Sequence, residues 1–216
     1  MITRDTFTSF GIEAPEASHT ESFTVSGTDP ILLVSVEAFR SGSPASTTSI
    51  TFDGNALTRL DFVAPIAGME LSFWYLANPP EVTGNVIVNC ANTNAGDGFI
   101  RGTIFTYKGV KQLAPVEGTP TTDTQGAGVN MVMSVTATVP NCMGVVAMFG
   151  SGTEVTNASN WINNHPRPMI FDYLSPTTGI TMTLTGGIIG GNGSIIAAFA
   201  PSLSPSAPMF FNFLPQ

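Results

Sequence analysis

The chain has 216 residues, a formal net charge of −8, two histidines and two cysteines, and only 10% of its residues are charged. The length suits one domain, and 43% hydrophobic residues is enough to build a full core. The seven basic residues (Arg4, Arg40, Arg59, Arg101, Lys108, Lys111 and Arg167) form no cluster, which argues against nucleic-acid binding and against anionic membrane surfaces. A typical soluble domain is roughly 25% charged. The surface here must instead be built from Thr, Ser, Asn, Gly and apolar side chains, a composition suited to a surface partly covered by partners.

In chain order, residues 1–20 are polar with a proline at 15 and are expected to form an N-terminal arm. They lack the basic flank and apolar run of a signal peptide. No stretch of about 18 apolar residues follows anywhere in the chain, so synthesis in the cytoplasm without membrane insertion is expected. His19, near Glu16 and Glu21, falls in this arm, a mobile context for a catalytic base.

From residue 31 the periodicity is that of strands. ILLVSVEAF places Leu32, Val34, Val36 and Ala38 on one face and Ser35 and Glu37 on the other. ITFDGNALTRL reads as a hairpin, because Asp53-Gly54 is a preferred pair for a two-residue type I′ turn. Further strands are expected at 70–76, 85–91, 99–107, 131–139, 142–150, 179–186 and 194–200, with turn signals at 78–80, 94–98, 118–128 and 190–193. The expected fold is all-β: an antiparallel, jelly-roll-like β-sandwich over residues 21–200 with about ten short strands. Cys90 and Cys142 allow either a cross-strand disulfide or two free buried thiols, and a reducing compartment favours the thiols. Residues 201–216 are a Pro/Ser tether followed by the apolar tag MFFNFLPQ.

A search for chemistry yields little. His165, in NNHPRP, has no metal-ligand partner at useful spacing, and no zinc, redox, nucleophile-elbow or phosphate-loop motif occurs. GGIIGGNG fails the dinucleotide fingerprint and reads as a hairpin. Asp53, Asp61, Asp97, Asp123 and Asp172 read as solvated turn acids, and no loop matches an established calcium pattern. Neither enzyme activity nor a cofactor or metal is expected. The segment 157–168, NASNWINNHPRP, sets Trp161 among Asn160 and Asn163, the composition of a carbohydrate platform. The alternative is that Trp161 plugs one end of the sandwich. Trp74 and Tyr75 read as core.

The series LLV at 32–34, TFDGNALT at 51–58, WYLANPPEVTG at 74–84 and FTYKGVKQLAPV at 105–116 resembles a β-sandwich module recurrent in bacteriophage virion proteins and some bacterial surface proteins. Tyr107 and Lys108 lengthen the approach to Gly109, and Leu113 stands where the module often has Thr. The resemblance spans residues 30–118 and implies a jelly-roll-like sandwich used for display, decoration or adhesion, without catalytic residues. The expectation is a virion structural protein, above all a capsid decoration or cement protein, otherwise a tail or fibre component. It would contact the major capsid protein or other virion proteins and form a homo-oligomer such as a trimer, using the tag residues Met209, Phe210, Phe211, Phe213 and Leu214. The alternative is a glycan- or receptor-binding module built on Trp161, Asn160 and Asn163.

Overall fold

The computed structural model describes residues 1–12, 15–126, 131–149, 169–174, 177–184 and 192–202. Among these there is no helix; fifteen strands form four antiparallel sheets. Layer I pairs β2 (Ser18–Thr24), β8 (Thr83–Ala91), β4 (Ser46–Phe52) and β5 (Asn55–Ala56), in that order. Layer II runs β1 (Thr3–Ile12), β9 (Phe99–Lys108), β3 (Ile31–Phe39), β7 (Met69–Ala77) and β6 (Thr58–Val63). Layer III runs β10 (Val116–Gln125), β15 (Asn192–Phe199), β12 (Met143–Phe149) and β13 (Met169–Leu174). Layer IV pairs β11 (Met131–Thr136) with β14 (Gly179–Leu184).

Three apolar cores stack these layers in the order I, II, III, IV. Leu32, Val34, Val36 and Ala38 of β3 pack against Ile50, Phe52, Val86 and Val88 of layer I. The opposite face of layer II, with Leu33, Leu71, Phe73 and Phe105, packs against Val145, Ala147, Ile195 and Ala197 of layer III. Met131, Met133, Val135 and Ile180 of layer IV close over Val146, Met148, Ile196 and Ala198. The expected antiparallel sandwich is present in doubled form, with the central strands of layers II and III buried on both faces.

The two faces of β3 divide as expected, with Leu32, Val34, Val36 and Ala38 on one side. Ser35 and Glu37 on the other side are buried as well, because layer III covers the side of the sheet that a two-layer sandwich would leave wet. Glu37 lies in register opposite Arg101 of β9. Close packing in layer II also explains Gly102, where a Cβ would sit 2.2 Å from the Phe10 ring and 2.8 Å from the Ser35 carbonyl oxygen.

Residues 1–20 are not an arm. β1 pairs along β9 as an edge of layer II, and Ile2 and Phe10 are buried. A bulge between Arg4 and Phe7 interrupts the alternation, so no two-residue period marks this polar segment as a strand. The next strand, β2, belongs to layer I. The stretch 118–128, expected as a turn, mostly belongs to β10. Gly118 and Pro120 sit in a register shift between Glu117 and Thr121, and a proline is tolerated there because β10 is an edge strand. The Asp53-Gly54 hairpin forms as expected, with φ of 46° and 79° and Phe52 paired to Asn55. Past it, Leu57 enters the core between layers I and II, and β6 continues in layer II.

Candidate functional site

The outward face of layer I is the most distinctive described surface. Strand alternation sends Phe23, Ile50, Phe52, Val86, Val88 and Cys90 inward. The alternate positions then stack in cross-strand rows: Ser18, Asn89 and Ser49; Thr20, Ile87 and Thr51; Ser22 with Asn85; Thr24 with Thr83. None of these ten side chains is charged. Their hydroxyls and amides are tied laterally, Thr24 Oγ1 lying 2.8 Å from Thr83 Oγ1 and Asn89 Nδ2 donating to Ser49 Oγ at 3.0 Å. A shallow depression of about 350 Å³ at one end is lined by Ser22, Asp53, Gly54, Thr83, Asn85 and Ile87, with Asp53 its only charged member. A second depression of about 440 Å³ lies between β10 and β11, lined by Thr121, Thr122, Asp123, Gln125, Met133 and Ser134. There Gln125 Nε2 donates to Asp123 Oδ1 at 3.0 Å, and Thr121 Oγ1 donates to the Ser134 carbonyl at 2.8 Å. Both surfaces are shallow and hydroxyl-rich, and suit hydrogen bonding to a broad partner.

The titratable groups inside the stack act structurally. Tyr107 Oη donates to Asp172 Oδ2 at 2.6 Å, and Arg4 Nη1 lies 3.9 Å from the same oxygen. Burial, and next the neighbouring Asp172 charge, hold the Tyr107 phenol well above its usual range. Asp172 is therefore no turn acid; it ties β13 of layer III to β9 of layer II. The signal available in the sequence was an aspartate in the middle of the apolar run MIFDYL. Among the other acids, Asp97 Oδ1 accepts the Ser41 amide at 3.0 Å and Asp61 Oδ1 accepts the adjacent Phe62 amide at 2.8 Å.

Glu70 Oε1 accepts the Thr47 amide at 2.8 Å, and burial raises this carboxyl's pKa against the opposing pull of Thr47 and Arg59. Burial pushes the Cys90 thiol up to about 12 and the Cys142 thiol up to about 11. Both cysteines are free and buried, the first between layers I and II and the second between layers III and IV. Thiols so held stay protonated and are poor nucleophiles. His19, expected in a mobile arm, is fixed in β2, stacked on Phe10 at 4.5 Å between ring centroids and 3.3 Å from Glu21 Oε2. Among the described residues no group of three or more His, Cys, Asp or Glu side chains is placed to hold a metal ion.

Trp161, Asn160 and Asn163 lie outside the described residues, as do Met209, Phe210, Phe211, Phe213 and Leu214. The described chain ends at Ser202. Pro201 bridges to Val110, and the Ser202 amide donates to the Gly109 carbonyl at 2.8 Å, so Ser202 lies at the end of the stack formed by loops 78–82 and 109–115. The motifs at 31–34, 74–84 and 105–116 fall on β3, β7 and β9 and on the turns after β7 and β9, and the motif at 51–58 spans the β4–β5 hairpin and the start of β6. Those positions specify architecture rather than chemistry. No protein-family model matches the chain, and comparison with curated proteins finds no match.

Proposed function

We propose that this chain is a non-enzymatic virion structural protein, a bacteriophage capsid decoration or cement protein that attaches through its sandwich and its C-terminal tag. The observation that carries this reading is the uncharged, hydroxyl- and amide-rich outer face of layer I. The cross-strand rows carry no ion, Asp53 at one end being the nearest charge, so docking them on a shell keeps the desolvation cost small while their hydroxyls and amides can exchange water for a partner's groups. The apolar tag would add anchoring. Five apolar side chains each stabilise by about 1.5–3 kcal/mol when fully buried, offset in part by the entropy of ordering the segment. Several modest contacts on one module then gain strength through effective concentration. The resemblance of residues 30–118 to virion sandwich modules points the same way.

The test is to band particles from lysates of cells carrying the gene on a density gradient and quantify the chain against the shell protein by mass spectrometry. The proposal expects copy numbers in simple proportion to the shell protein, lost when residues 206–216 are deleted. Absence of the full-length chain from intact particles would refute it, and confinement to the tail fraction would replace the decoration role with a tail role.

A second reading, a glycan-binding module, draws on Trp161 with Asn160 and Asn163 and on the carboxylate and amide pair Asp123 and Gln125 in the groove beside β11. Under that reading Trp161→Ala abolishes binding on a glycan array and leaves particle association intact.

A further inference from the structure

The apolar core between layers III and IV turns polar at one end. On β15, Ile196 and Ala198 face layer IV, and strand alternation turns Ser194 and Asn192 to the same side. Both residues are fully buried. Neither Ser194 Oγ nor Asn192 Oδ1 or Nδ2 has a hydrogen-bond partner within the chain. Buried polar side chains are almost always paired, so two orphans, two residues apart on one strand, call for a reason. Their cross-strand neighbours supply one. Asp123 lies in register opposite Ser194, and Gln125 opposite Asn192. Directly opposed residues carry their side chains on one face, with Cβ atoms about 4.5–5.5 Å apart. Asp123 and Gln125 also line the depression of about 440 Å³ between β10 and β11. The orphans are therefore the inner row of a polar surface whose outer row borders that depression.

We infer that this mouth binds a neutral saccharide, whose hydroxyls bond Asp123 and Gln125 and, through one hydroxyl passed between them, Ser194 and Asn192. The inference rests on the glycan-binding reading and deepens it by naming the inner residues of the site and the charge class of the ligand. The balance of donors and acceptors selects the ligand. Asn192 needs a donor for Oδ1 and an acceptor for Nδ2, and Ser194 can serve as either. A cation would satisfy oxygens alone and leave Nδ2 unpaired, and a single carboxylate is a sparse set for calcium. A hydroxyl both donates and accepts, so it meets both needs. The bond from Gln125 Nε2 to Asp123 Oδ1 at 3.0 Å fixes the carboxylate and leaves Asp123 Oδ2 and Gln125 Oε1 to accept from ligand hydroxyls. Asp123 is the only charged residue in the described lining, and its negative charge disfavours acidic sugars. Val132, 58% exposed, and Met133 give the C–H face of a pyranose an apolar wall.

The test titrates the full chain with the methyl glycosides of glucose, galactose, mannose and N-acetylglucosamine, and with glucuronic acid as the acidic control, read by saturation-transfer NMR. At least one neutral glycoside should bind, and glucuronic acid should not. Asp123→Ala, on the edge strand β10, and Ser194→Ala should each weaken that binding at least tenfold. Ser194→Ala should also melt at or above wild type, because it removes a buried hydroxyl that nothing in the chain satisfies. A lower melting temperature would mean that solvent satisfies Ser194 Oγ as part of the fold, and would overturn the inference. So would binding of no neutral glycoside, equal binding of glucuronic acid, or unchanged affinity in either variant. The glycan array scores the broader reading separately. Array binding that Trp161→Ala abolishes and Asp123→Ala leaves intact keeps a glycan-binding module and overturns this site, whereas array binding lost in Asp123→Ala and Ser194→Ala but kept in Trp161→Ala assigns recognition to this mouth.

Discussion

Tyr107→Phe tests whether the contact between layers II and III contributes to stability through one buried hydrogen bond. The substitution removes a single hydroxyl and keeps the ring, which still meets Phe105 edge-on at 5.9 Å between centroids. Tyr107 is 1% exposed and Asp172 8%, so water cannot readily replace the lost donor. A hydrogen bond to a buried carboxylate contributes about 1.5–3 kcal/mol. Arg4, 3.9 Å from the same oxygen and partly exposed, compensates little. At about 2–4 °C per kcal/mol for a chain of this size, Tm should fall by roughly 3–12 °C, with the urea m-value unchanged. The pH dependence supplies a second readout. A phenol whose folded-state pKa is raised contributes stability that is fully present below about pH 10, the unfolded tyrosine value, and lost as pH rises beyond it. The gap between wild type and variant should therefore narrow above pH 10. A Tm change below about 1 °C at neutral pH, or a gap that widens in alkali, would refute the assignment of this bond as a stabilising tie.

Three further outcomes follow from the buried groups and one glycine. Glu70→Gln retains an acceptor for the Thr47 amide and removes a carboxylate that burial disfavours. Its raised pKa means that the wild-type penalty appears as pH rises through the titration, so the variant should melt higher at pH 7 and equal to wild type in acid, as followed by calorimetry. Gly118→Ala places a Cβ 2.1 Å from the Thr136 carbonyl oxygen at a φ of +71°; it should cost more than about 1–2 kcal/mol in urea unfolding, and a neutral result would mean that the bulge is not held as described. Cys90 and Cys142 should resist an aromatic disulfide reagent at pH 8 in the native protein and react only at the rate of unfolding, because both thiols are buried and protonated.

The sequence carries much of the fold because local rules and tertiary context agree over most of it. ILLVSVEAF and GITMTLTG alternate cleanly, and Asp53-Gly54 adopts the left-handed conformations that its turn requires. Where the two disagree, the cause is a missing neighbour. Ser35 and Glu37 carry polar identity at positions that only a third layer buries. β10 is spelled VEGTPTTDTQ, a turn by composition, and becomes a strand because β15 offers its edge and a bulge absorbs Gly118 and Pro120. β1 is concealed by its own bulge. The site was harder to read for a different reason. The uncharged face of layer I is assembled from β2, β4 and β8, which apart from Ile87 contribute Ser, Thr or Asn at alternate positions, an ordinary pattern in each strand that becomes a surface only once register aligns them.

Sharing layer II between two cores also has a consequence for synthesis. The face formed by Leu33, Phe73 and Phe105 is complete in sequence once β9 is made, but its cover, ending at Phe199, comes some 90 residues later. At about 5–20 residues per second, that apolar sheet waits roughly 4–18 s for its partner, long enough for copies emerging on one messenger to find one another. A nascent chain stalled after β9 has cleared the ribosome and before β15 is made should therefore recruit a holdase chaperone or aggregate, and slowing translation between β9 and β15 should lower the soluble yield of a protein whose finished form has both faces of that sheet covered.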